Sequence, residues 1–179
     1  MSEGLPQITN VLVRVSVDPG HGGPFWEYRI DADQAGYQVT LQISKILPPS
    51  ERMPVPSPRP PSLVSHPLQA SEVNYRSTSQ LTEVLVKESQ QVEEFLSKLA
   101  TEFNVFALAD LKPTYPFLHP TFYSFSFQNG AGETHYFEYK IECTNHLDEK
   151  YKGLIEEFHH FFESERVWKK FLESQRNNK

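Results

Sequence analysis

The sequence predicts an α+β domain: a mainly antiparallel five-stranded sheet in the order βββ-α-ββ-α, with two main helices packed on one face and a short C-terminal helical extension. Three observations carry that expectation. Large and polar residues alternate in three N-terminal segments; an aromatic hairpin, Tyr123-Ser124-Phe125-Ser126-Phe127 with Phe137-Glu138-Tyr139-Lys140-Ile141, alternates in the same way; and two stretches repeat apolar residues at three- and four-residue steps.

Val11, Val13, Val15 and Val17 sit at alternate positions with Arg14 and Ser16 between them, which predicts a half-buried strand over about 8–17. Asp18-Pro19-Gly20-His21-Gly22-Gly23-Pro24 ends it, since proline lacks a donor and glycine opens the backbone. A second strand, about 25–31, places Trp26, Tyr28 and Ile30 on one side. A third, about 37–46, does so with Tyr37, Val39, Leu41 and Ile43.

From Pro48 to Pro67 lie 8 of the chain's 14 prolines, so regular hydrogen-bonded structure stops there. Pro58-Arg59-Pro60-Pro61 has the form of a ligand for an aromatic groove. The reading adopted is a connection crossing the sheet, because the segment at about 47–67 lies inside a domain. A length of 179 residues fits one domain over 1–179.

Ser79 is placed as the N-cap of a helix over about 80–102, with Leu81, Val84, Leu85, Val92, Phe95, Leu96, Leu99 and Phe103 as its apolar stripe, interrupted by Glu88. Its polar side, with Glu83, Lys87 and Glu94, reads as a solvated face. Leu111 to Pro120 is a second proline-punctuated connection, and Asn129-Gly130-Ala131-Gly132 marks the hairpin turn. The hairpin register follows from ring placement: with Phe125 opposite Phe137, Tyr123 meets Tyr139 and Phe127 meets His135, so the rings share one face. The other face then shows Ser124, Ser126 and Gln128 against Glu138, Tyr136 and Thr134, with Phe122 beside Lys140. Asn145 or Asp148 caps the last main helix, about 148–163, whose stripe is Tyr151, Leu154, Ile155, Phe158, Phe161 and Phe162. Val167, Trp168, Phe171 and Leu172 continue a helical spacing, as the last turns of that helix or as a short second one.

A formal net charge of -6 gives no basic stripe for a phosphate backbone, so nucleic-acid binding is not expected. The absence of a long apolar run argues against a membrane span, and a single cysteine, Cys143, agrees with a reducing compartment; the expected address is the cytoplasm.

Chemistry is sparse. Gly20, Gly22 and Gly23 lie between strands and Gly130 and Gly132 in a hairpin turn, so neither set opens a helix as a phosphate cradle does. Cys143 follows Ile141 onto the apolar face as a small hydrophobe, despite Asn145 and His146 nearby. His21, His66, His119, His135, His146, His159 and His160 are scattered, and His159 and His160, about 100° apart on a helix, do not face one ion. Glu138 and Glu142 share a strand face with Lys140 between them, which reads as solvated alternating charge. Asp31 and Asp33 fit backbone capping in a turn. No cofactor and no metal is expected.

What remains is surface. The sheet face away from the helices displays Arg14, Glu27, Arg29, Gln38, Thr40, Gln42, Ser124, Tyr136, Glu138 and Lys140. The C-terminal Trp168, Phe171 and Leu172 form the other candidate, a docking element if one core does not bury them. The order βββ-α-ββ-α and the acidity, over about residues 8–165, resemble the small acidic chaperones of bacterial type III secretion, without that family's N-terminal helix. The resemblance implies a dimer that binds an extended polypeptide and transfers no functional residue. The expectation is a non-enzymatic protein-interaction module, chaperone- or adaptor-like, with a protein partner or self-association. The alternative is a small-molecule or metal-dependent enzyme whose site is assembled from distant residues such as His119, His135 and Glu138.

Overall fold

Alternation of buried and exposed residues is the dominant local pattern of the chain, and it builds one antiparallel sheet. The computed structural model describes residues 7–19, 22–46, 77–112, 119–142 and 148–177. Strands β1 (Ile8–Val17), β2 (Pro24–Asp33), β3 (Gly36–Ile46) and β4 (Ser77–Leu85) form a meander. Helix α1 (Ser89–Thr101) and a short 3-10 turn (Val105–Ala107) follow, then β5 (Pro120–Asn129), β6 (Thr134–Glu142), α2 (Glu149–Phe161) and α3 (Ser164–Asn177). The spatial strand order is β4-β3-β2-β1-β5-β6, so the chain leaves one edge after β4 and returns beside β1.

The α+β class and the antiparallel sheet agree with the sequence, but the described residues hold six strands and three α-helices where five strands and two main helices were expected. The extra strand is β4, which replaces the first turns of the predicted helix. Leu81, Val84 and Leu85 satisfy a helical spacing, yet Leu81 pairs with Ile43, Glu83 with Leu41 and Leu85 with Val39. Alternation therefore sends Leu81, Glu83 and Leu85 to the helix side and Thr82 and Val84 to the other. β-Branched Thr82, Val84 and Val86 at alternate positions favour that extended backbone. Ser79 caps nothing; the helix begins after Glu88, whose N–H donates to the Gln91 side chain at 3.3 Å. The element order behind the chaperone resemblance becomes ββββ-α-ββ-αα.

The aromatic hairpin has the register its rings dictate: Tyr123 faces Tyr139, Phe125 faces Phe137 and Phe127 faces His135. Asn129 closes the turn, its Oδ1 accepting from the N–H groups of Ala131 (3.0 Å) and Glu133 (2.9 Å), while Gly132 takes φ +82°. Asp148 caps α2 by accepting from Lys150 N–H (2.8 Å) and Tyr151 N–H (3.2 Å). Tyr151, Leu154, Ile155 and Phe158 then point at the sheet, and Phe158 lies within ring-contact range of Phe95, Phe125, Phe127, Tyr28 and Phe162.

The expected short extension is a full helix. Glu163 adopts φ +52° and turns the chain between α2 and α3, and α3 runs 14 residues against 13 for α2. Tyr28 ties this elbow to β2: its buried hydroxyl accepts from Ser164 Oγ at 3.3 Å and lies 3.2 Å from His159 Nδ1. Burial lifts the Tyr28 phenol above its ordinary pKa, so it stays a neutral hydrogen-bonding group.

Helix α3 lies over β3 and β4 and is clasped to that edge by charge. Lys170 Nζ and Arg166 Nη1 meet Glu83 Oε1 at 2.6 and 3.2 Å, while Lys87 Nζ meets Glu163 Oε1 at 2.7 Å. The Lys170 hydrogen bond first, and Arg166 second, hold the Glu83 carboxyl below its usual pKa. A lowered folded-state value means that this stabilisation is complete above the unfolded carboxylate pKa and is lost as pH falls through the folded one. Glu83→Gln is therefore expected to lower stability by about 1 kcal/mol at neutral pH. The gap from the unsubstituted protein, read by urea unfolding, should close on acidification; a gap that persists below the carboxylate range contradicts the clasp.

The predicted proline-rich connection at 47–67, with Pro58-Arg59-Pro60-Pro61, lies outside the described residues, as do Gly20, His21, His66, Cys143, Asn145 and His146.

Candidate functional site

All three α-helices sit on one side of the sheet; the layer beneath α2 is filled, while α1 and the strands leave a cleft of about 280 Å³ lined in part by Ile8, Tyr37, Leu96 and Ala100. The gap bordered by Val13, Val15, Tyr28, Tyr123, Phe125, Ile155, Phe158 and His159 holds only about 10 Å³, at the lower limit for one water molecule. On the opposite face, which no described helix covers, β1, β2, β5 and β6 shape a groove of about 380 Å³, lined in part by Arg14, Phe25, Lys112, Phe122, Tyr136 and Glu138.

Strand parity positions these side chains. Trp26, Tyr28 and Ile30 point into the core, which turns Phe25 outward; Tyr123, Phe125 and Phe127 point inward, which turns Phe122 outward. The same rule on β6 puts Tyr136, Glu138 and Lys140 in a row. Lys112 arrives from elsewhere: Leu111 runs along the outer edge of β6, its N–H donating to Glu138 O (2.9 Å) and its carbonyl accepting from Lys140 N–H (3.0 Å).

Glu138 is the hub of the groove. Tyr136 Oη donates to its Oε1 at 2.6 Å, and Lys112 Nζ ion-pairs with its Oε2. Asp110 Oδ1 accepts the Glu138 backbone N–H at 2.8 Å, and Lys112 Nζ lies 3.4 Å from Asp110 Oδ2. Lys112, and then Tyr136, lower the Glu138 pKa, and Glu138 in turn raises that of Lys112. The backbone N–H of Glu138 lowers the Asp110 pKa. Removal from water, followed by the bond to Glu138, pushes the Tyr136 phenol up to about 12. Nearby, Arg14 Nε and Arg29 Nη2 share the two oxygens of Glu27 at 2.9 and 3.0 Å, and Lys140 Nζ stands 4.8 Å from the Phe122 ring centroid.

The shifts of Asp110, Glu138, Lys112 and Tyr136 hold the two acids toward the ionised form, the lysine toward the protonated form and the phenol toward the neutral form. Each of these four shifts runs away from neutrality, the opposite of the tuning that a general acid or base uses. The arrangement offers aromatic faces, ion pairs and hydrogen-bonding groups side by side on the open face of the sheet.

The residues named as candidate interaction surfaces, Tyr136 on the open face and Trp168, Phe171 and Leu172 at the C-terminal end, are placed differently. Phe171 is 2% exposed and belongs to the core. Trp168 packs on Trp26 and Phe171, with centroids 5.2 and 5.4 Å away. Leu172 remains 39% exposed on α3, while Tyr136, 55% exposed, stands on the other side of the sheet.

The distributed enzyme trio is not assembled either. His119 Nδ1 lies 3.0 Å from Asp18 Oδ2 near the start of β5. His135 Nε2 lies 2.7 Å from Leu108 O on the helix side of β6, whereas Glu138 is on the open side. Eight residues separate His119 from Phe127, the partner of His135, so the two histidines are about 26 Å apart along the strands. Among the described residues, no three His, Cys, Asp or Glu side chains gather as a metal-holding group.

Parity within β2 and β5 marks Phe25 and Phe122, but Asp110 and Lys112 carry no sequence signal. They sit at the start of a proline-punctuated connection, and only the bridge of Leu111 to Tyr139 brings them to Glu138. No family model, no curated protein and no solved structure matches this chain.

Proposed function

We propose that the protein is a non-enzymatic protein-interaction module that receives a partner protein on the open face of its sheet, around Phe25, Phe122 and Tyr136. The observation that carries this reading is the groove on the side of the sheet that no described helix covers, where Phe25, Phe122 and Tyr136 stand among charged side chains. Interfaces favour aromatic residues and arginine at their centre, with charged and polar groups at the rim; Phe25, Phe122, Tyr136 and Arg14 meet the first description and Lys112 and Lys140 the second, while Glu138 binds Tyr136 and Lys112 between them.

On this reading all 179 residues belong to one adaptor-like domain acting in the cytoplasm. No helix among the described residues is long and apolar enough to cross a membrane. The enzyme alternative calls for a recess with convergent titratable groups, and the separation of His119, His135 and Glu138 counts against the trio named for it.

Native mass spectrometry of the protein isolated gently from its own cells tests the proposal. A stoichiometric complex with a different protein is expected, and the double variant Phe122→Asp, Tyr136→Asp, with unchanged circular dichroism, should lose it. A bound small molecule or metal without a protein partner contradicts the proposal.

A further inference from the structure

The two edges of the sheet are finished differently. Beyond β6, Leu111 occupies the edge with two backbone hydrogen bonds, and Glu138, Lys140 and Glu142 line the strand with charge. Beyond β4 no strand pairs among the described residues. An edge of this kind presents alternating unpaired N–H and C=O groups, and proteins guard such edges with lysine, proline or inward-pointing charge. Between Ser79 and Leu85, β4 has neither lysine nor proline. Its inward charge, Glu83, is neutralised by Lys170 and Arg166. The edge instead carries Val84, 58% exposed, and is followed by Val86, 98% exposed.

We propose that a second copy of the chain pairs antiparallel with β4 across a two-fold axis through Val84, joining the two sheets. Such a contact is self-complementary, so the choice of axis fixes every opposing pair. An axis at Glu83 sets that carboxylate against itself, and an axis at Thr82 opposes Val84 with Gln80. The N–H and C=O of Glu88 already serve the start of α1, so pairing stops at Lys87; an axis at Leu85 then leaves a ladder only from 83 to 87, whereas one at Val84 extends it from 81 to 87. With the axis at Val84, the open side pairs Val84 with Val84 and Val86 with Thr82. The helix side pairs Glu83 with Leu85 and Leu81 with Lys87, with Lys87 diagonal to Glu83, so no like charges stand directly opposite. This edge is a surface separate from the groove around Tyr136, and the two assignments stand or fall independently.

Sedimentation velocity on the purified full chain, from micromolar to millimolar concentration, tests the pairing. A reversible dimer is expected. Val84→Lys, at an exposed position that the fold tolerates, places two ammonium groups face to face on the axis and should raise the dissociation constant about tenfold or more. An equimolar mixture of Val84→Lys and Val84→Glu chains should associate again as a heterodimer, and Leu172→Lys should leave the dimer unchanged. A protein that stays monomeric throughout, a Val84→Lys dimer as tight as the original, or a dimer abolished by Leu172→Lys overturns the proposal. A monomer here leaves the complex with a different protein to be judged by its own measurement.

Discussion

Phe158→Ala is expected to lower the unfolding free energy by about 3–5 kcal/mol, the largest effect of any single truncation considered. Phe158 is 2% exposed, and α2 drives it into the junction of α1, the hairpin and β2. Its ring lies 5.3 Å from Phe95, 6.0 Å from Tyr28, 6.2 Å from Phe125 and 6.5 Å from Phe127, centroid to centroid. These partners come from three elements, α1, β2 and β5, so no single side chain relaxes to refill the space and the cavity remains. Against a typical total of about 5–15 kcal/mol, the variant keeps little reserve. Urea unfolding should show a much lower midpoint with an unchanged slope; a shift below about 1 kcal/mol would mean that the ring cluster does not organise the core.

Trp168→Ala is the second large effect, about 2–3 kcal/mol for a ring that is only partly buried. Trp168 lies between Trp26 on β2 and Phe171 on its own helix, so its truncation removes contact between α3 and the sheet. Leu172→Ala, one position beyond Phe171 and 39% exposed, should cost less, under about 1 kcal/mol. The pair separates core from docking surface on a single helix. If Trp168→Ala leaves the urea midpoint unchanged, α3 is not held by this stack.

The hairpin was legible in full because period-two alternation and ring pairing reinforce one another: a slip of one residue would have mixed the faces. The first three strands were legible for the same reason. β4 was not, because Leu81, Val84 and Leu85 satisfy the helical period while Ser79, Leu81, Glu83 and Leu85 satisfy the strand period, and the strong stripe of Val92, Phe95, Leu96 and Leu99 that follows made the helix look longer. Glu88, an interruption in that stripe, is the boundary itself. The length of α3 was hidden by Glu163, since a single residue at positive φ turns a helix without glycine or proline to announce it.

The candidate site was legible in part. Alternation placed Tyr136, Glu138 and Lys140 on the open face and Phe122 beside Lys140, and these positions hold. The ion pair of Lys112 with Glu138 depends on a non-consecutive backbone bridge, which spacing does not encode. Trp168 and Phe171 looked like surplus apolar area for a domain with two helices. Once β4 widens the sheet, α3 has a surface to cover and those rings have somewhere to go.

The central claim is that the open face, and not the helix-covered one, meets another protein. A photo-crosslinking residue placed at Tyr136, and in a separate protein at Glu94 on the solvent side of α1, compares the two faces inside the protein's own cells. A discrete crosslinked species with a different protein is expected from position 136 and none from position 94. Crosslinking from 94 alone, or from neither position, would contradict it.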